Sequence, residues 1–86
     1  MQMTTTEYRN EFIRETAEDL IRNLSEEDRE MILQNPDYVQ HHFWLGLYIR
    51  NRYIHNNPDL SFWPYHADHV SHDIFDCVVS LLRERL

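Results

Sequence analysis

The side chains of this 86-residue chain best suited to chemistry are six histidines, one cysteine and eight arginines, with no lysine. His66, His69 and His72 recur at every third position, and His69 stands four residues before Asp73. These are the spacings at which two side chains on one helix can share a metal ion. Six residues of helix, however, leave His66 and His72 about 120° apart, so the three cannot converge on one ion without outside ligands. His41 and His42 are neighbours and point to different sides. The histidines therefore read as surface and cap residues. Neither a metal nor a cofactor is expected, and His69 with Asp73 is the weak metal alternative. Cys77 falls on an apolar stripe and reads as a small core residue. No Ser-His-Asp or Cys-His arrangement can be assembled.

Arg50 is the more pointed case. It follows the apolar run Phe43–Ile49, so part of its stem is expected to be buried. A guanidinium there requires a carboxylate or several carbonyls, and Asp68 or Asp73 on the last helix could supply one. The favoured reading is a structural clamp between helices; an Arg held for an anionic ligand is the alternative. His42, Gly46 and Ile49 share a helix side at i, i+4 and i+7, with Arg50 beside them. Glycine in a helix interior costs about 1 kcal/mol against alanine, so Gly46 is expected where another backbone packs closely.

The elements that must position these residues are helical. One Gly and three Pro are too few for a protein of tight hairpins. Thr4-Thr5-Thr6-Glu7 reads as a capping box. Behind it Tyr8, Phe12, Ile13, Ala17, Leu20, Ile21 and Leu24 recur at helical spacing. Glu18 can pair with Arg22 at i,i+4. Ser25 caps a short second helix that Asn35-Pro36 ends. Asn35 then caps a third helix, roughly 36–55, with Pro36 at its first position. That helix is apolar on most sides and is expected to be central. An aromatic connector through Phe62, Trp63 and Tyr65 leads to a last helix, about 67–85, with Val70, Ile74, Cys77, Val78 and Leu81 on one stripe. The expectation is a single all-α domain over 1–86, a compact bundle of three long helices and one short one.

Fifteen acids against eight arginines give a formal net charge of −7. Such a balance disfavours a general nucleic-acid binder, which needs clustered cations. Hydrophobic content of 42% excludes a disordered acidic tail. The charge is uneven: residues 1–37 hold ten acids and four Arg, and residues 38–86 hold five acids and four Arg. Helices one and two read either as a solvated acidic face or as a docking surface for a basic partner, centred on Glu26, Glu27, Asp28 and Glu30. Trp44, Phe62 and Trp63 suggest an aromatic patch for a partner or for self-association as a homodimer. No basic-apolar leader opens the chain, and no apolar run approaches a membrane span. A single cysteine cannot form an intramolecular disulfide. A cytoplasmic protein without membrane contact is expected.

Two resemblances enter on motifs. His42-Phe43-Trp44-Leu45-Gly46-Leu47-Tyr48-Ile49-Arg50-Asn51 resembles the H-F-x-L-G-x-x-I-R-N block of a family of small bacterial helical proteins of unknown function. Asp68, Val70, Ser71 and Ile74 stand where that family carries an Asp-x-x-Ser-x-x-Ile element. The similarity spans roughly residues 15 to 82 and departs at Trp44 and at Tyr53-Ile54-His55. It implies an all-helical fold and no activity. Arg50-Asn51-Arg52-Tyr53-Ile54-His55 also resembles the R-N-x-x-x-H signature of HEPN ribonucleases, helical bundles that pair two such motifs across a dimer. That likeness implies metal-independent RNA cleavage, with His55 as acid or base, Arg50 stabilising phosphate charge and Asn51 orienting them.

The reading is a small protein-interaction module, with the balance against an enzyme. Its concrete form is an inhibitor of antitoxin or immunity type, or one that mimics nucleic-acid charge, offering an acidic helical face to a basic protein. The ribonuclease is the alternative, and only under it is nucleic acid a partner.

Overall fold

Among the described residues no strand occurs, and the elements are all helical. The computed structural model describes residues 5–54 and 67–85, with 5, 6, 67 and 68 by backbone alone. His55, Phe62, Trp63 and His66 therefore lie outside the described residues, as do Thr4 and the side chain of Asp68.

Helix α1 covers Thr5–Asn23 and α2 covers Glu26–Gln34. Ser25 separates them as expected: its hydroxyl accepts from the Asp28 amide at 3.1 Å, and three acids occupy the first turn behind it. The side chain of Arg29 turns back across this corner. Its Nε and Nη2 donate to the Ile21 carbonyl at 3.1 and 2.6 Å, adding to the 3.3 Å bond that the same carbonyl accepts from the Leu24 amide at the end of α1.

The third helix starts later than the Asn-Pro pair suggests. Asp37, not Asn35, is its cap, with the carboxylate accepting from the Val39 amide at 3.0 Å. Asn35 instead closes α2, its amide donating to the Met31 carbonyl at 3.1 Å. From there α3 is a segmented run over residues 38–54. Tyr38–His41 is α-helical, His42–Gly46 a π-turn, Leu47–Ile49 α-helical again and Arg50–Ile54 a second π-turn.

Those wide turns change which side chains align. In a regular α-helix four residues overshoot one turn by about 40°, so positions twelve apart diverge by about 120°. A π-turn closes through i→i+5 bonds and holds more residues per turn. Its insertion removes the drift and keeps residues four apart in line. Tyr38, His42, Gly46 and Arg50 form one row, Val39, Phe43, Leu47 and Asn51 the next, and Trp44, Tyr48 and Arg52 a third.

The last helix, α4, covers Ala67–Glu84 and is the central element. Val70, Ser71, Ile74, Phe75, Val78, Val79, Leu81 and Leu82 are all buried on it. Against it pack Ala17, Leu20 and Ile21 of α1, Ile32 of α2, and Tyr38, Leu45 and Ile49 of α3. The expected apolar stripe of α4 is thus present but wider, and Cys77 sits half-buried at its edge. Burial pushes the Cys77 thiol above its ordinary range. Helix α3, expected at the centre, is peripheral: it buries one side and exposes the other. Glu18 takes Arg85 rather than Arg22, accepting at 2.6 and 2.7 Å, and so ties the end of α4 to α1. Arg22 turns to Asp19 at 3.4 Å.

Candidate functional site

The buried side of α3 is organised around Tyr38. Its phenol exchanges a hydrogen bond with the Ser71 hydroxyl of α4 at 2.5 Å and accepts from Arg50 Nη1 at 3.1 Å. The His72 imidazole stacks on its ring with centroids 4.6 Å apart, His42 meets it edge-on, and Phe75 packs at a tilt. Gly46 completes the arrangement. A Cβ there would lie 2.7 Å from Tyr38 Oη and 3.1 Å from Arg50 Nη1. The close approach predicted at Gly46 is therefore made by a phenol and a guanidinium, not by another backbone. Arg50 reaches α4 through Tyr38 and Ser71, and the side chain of Asp68, one of the two carboxylates expected for it, lies outside the described residues. Asp73 is exposed and forms no ion pair with Arg50 among the described residues.

His41 is buried rather than a surface histidine. Its Nε2 lies 2.7 Å from the Asn35 carbonyl, and its Nδ1 accepts from Trp44 Nε1 at 3.0 Å. A carbonyl can only accept and an indole N–H can only donate, so the pair of contacts selects the neutral tautomer with hydrogen on Nε2. His41 thereby locks the start of the first π-turn and orients Trp44 outward.

The exposed side of α3 is apolar. Val39 is 72% exposed, Phe43 85%, Leu47 47%, Tyr48 41% and Trp44 37%. Phe43, Trp44, Leu47, Tyr48, Asn51 and Arg52 line an open groove of about 610 Å³ between two of the rows that the π-turns align. Trp44 was anticipated as part of such a patch. The other members were legible only as a four-residue spacing inside a run that reads as core. The groove is braced from behind: the Tyr53 hydroxyl donates to Asp19 Oδ2 at 2.7 Å, Tyr48 meets the Tyr53 ring at 6.3 Å, and Arg52 lies over it at 5.5 Å. Burial and the bond to Asp19 push the Tyr53 phenol up to about 12. The same bond, with help from Arg22, holds the Asp19 carboxyl below its ordinary range.

The acidic cluster of α2 divides in two. Glu26 and Glu30, one turn apart, rim a hollow of about 360 Å³ floored by Ile21, Leu33 and Leu82, with Arg29 and Arg85 also at its edge. Glu27 faces solvent, and Asp28 is half-buried beside its cap. His69, His72 and Asp73 border a shallow hollow beside Tyr38, and His72 pairs with Asp76 at 3.6 Å. Among the described residues no group of three or more His, Cys, Asp or Glu side chains could hold a metal ion. No described helix is long and apolar enough to cross a membrane.

Arg50 and Asn51 of the ribonuclease-like signature diverge. The first points inward to Tyr38, and the second lines the outer groove. Their third member, His55, lies outside the described residues. No family model, no curated protein and no solved structure matches the chain.

Proposed function

We propose that this chain is a small protein-interaction module. The observation that carries the reading is the apolar face of α3, where Phe43 stands 85% exposed beside Val39, Trp44, Leu47 and Tyr48. Contiguous apolar surface on a small domain commonly marks a contact site. Aromatic anchors of this kind dominate interface energetics. The acidic residues of α1 and α2 then act as a second, longer-range element that steers a basic partner. The concrete version is an inhibitor of antitoxin or immunity type, with Glu26, Glu27, Asp28 and Glu30 meeting the cationic surface of its target. A relative with the 42–51 block would share the helical frame. The ribonuclease reading gains less, because Arg50 is engaged in holding α3 to α4.

The test is capture of a basic protein by the tethered full chain from its own source cells. Binding should weaken as salt rises and fall again in a Glu26→Gln/Glu30→Gln variant. Binding indifferent to both would remove the acidic-face mechanism.

A further inference from the structure

Resting on that reading, we infer that the α3 face is occupied by a second copy of this chain, packed antiparallel about a two-fold axis. Charge is the first argument. Residues 38–58 contain two Arg and no acid, whereas residues 1–37 carry ten acids against four Arg. Two copies meeting through α1 or α2 would oppose like charges. Through α3 they meet on the stretch of sequence that has no carboxylate to repel its twin.

Area is the second. The five exposed apolar side chains of α3 present roughly 600 Å², at the upper end for a patch on a monomer. With Asn51 and Arg52 at the rim, the face approaches the ~800 Å² per partner of a standard stable interface.

Self-complementarity is the third. An axis crossing α3 near Leu45 and Gly46 sets Phe43 against Tyr48 of the partner subunit and Trp44 against Leu47 of the partner subunit. The same rotation sets Arg52 against Val39 of the partner subunit at either end of the face. A parallel arrangement would stack Arg52 on its equivalent. Because the contact is isologous, assembly closes at two copies. Both acidic α1–α2 surfaces then face outward, and the dimer offers a basic partner two equivalent docking faces.

The two interactions depend on salt in opposite directions. Copies of formal charge −7 repel, so dimerisation strengthens as salt screens them. Binding of a basic partner weakens. Sedimentation equilibrium of the full chain over a concentration and salt series should show a 10.6 kDa monomer passing to a dimer and no further. Phe43→Asp should raise the dissociation constant by roughly 30-fold or more with the circular dichroism unchanged. Leu47→Asp, facing Trp44 of the partner subunit across the axis, should weaken the dimer likewise. A monomer at every concentration and salt, oligomers beyond two, or Phe43→Asp and Leu47→Asp variants that pair as well as the wild type would overturn the inference. A monomer that still binds a basic protein in a salt-sensitive way sinks the dimer and leaves the interaction module standing.

Discussion

Arg50 reaches twelve residues back along its own helix to donate to the Tyr38 phenol oxygen at 3.1 Å. In an unbroken α-helix these positions would stand about 120° apart. The π-turn at His42–Gly46 brings them into one row and places Gly46 between them. The same register correction turns Val39, Phe43 and Leu47 into a continuous exposed stripe. Core anchoring and surface presentation on α3 therefore have one cause.

Gly46→Ala tests that relationship directly. Helix propensity alone favours alanine by about 1 kcal/mol. The added methyl, however, would stand 2.7 Å from Tyr38 Oη, and overpacking of this kind costs about 1–3 kcal/mol. The variant should be less stable, seen as a lower urea midpoint at constant slope. In the double variant with Tyr38→Phe the glycine substitution should cost measurably less, because the hydroxyl it strikes is gone. An alanine variant as stable as the wild type would show that the row can shift freely.

Stability should fall at both ends of the pH range, for reasons traceable to Tyr53 and Asp19. The Asp19 carboxyl is held below its ordinary 3.8, first by the Tyr53 hydroxyl. Its contribution is complete above the unfolded value and disappears as pH drops through the folded one. The Tyr53 phenol is raised from 10.0 to about 12, first by burial and then by Asp19. That contribution is complete below pH 10.0 and disappears as pH climbs towards 12. Tyr53→Phe should flatten both losses. Chemical denaturation across pH, with the tyrosinate absorbance followed on the alkaline side, checks both signs.

Residues two apart on α3 should behave oppositely. Phe43 is 85% exposed and Leu45 1%. At dilutions where the chain is monomeric, Phe43→Ser should change unfolding free energy by no more than about 0.5 kcal/mol, while removing binding through the α3 face. Leu45→Ala should cost about 2–5 kcal/mol. Thermal melts beside a binding measurement separate the two effects. A large stability loss in Phe43→Ser would place that ring in the core.

The all-helical class, the break at Ser25 and the apolar stripe of α4 were legible because they depend on local periodicity and on one hydroxyl cap. Glu18 and Asn35 were misplaced for a shared reason. Each has a plausible neighbour in sequence, and in the fold each answers to something else: Glu18 to Arg85 across the bundle, Asn35 to the end of α2. Gly46 and Arg50 were recognised as special without their partner, since Tyr38 lies twelve residues from Arg50 and aligns with it only through the π-turn at His42–Gly46.

Sequence alone therefore determined helicity, the acidic first half and the presence of a cation and a glycine inside the most apolar stretch. Those properties follow from composition and near-neighbour spacing. Tertiary structure decided which helix is central and which side of α3 faces outward. An apolar run such as Phe43–Ile49 is equally suited to a core and to an interface, and hydrophobicity does not distinguish them. The choice was made by packing: α4 fills the centre with residues on most of its circumference, and the Tyr38–Ser71 bond fixes α3 against it on a single side.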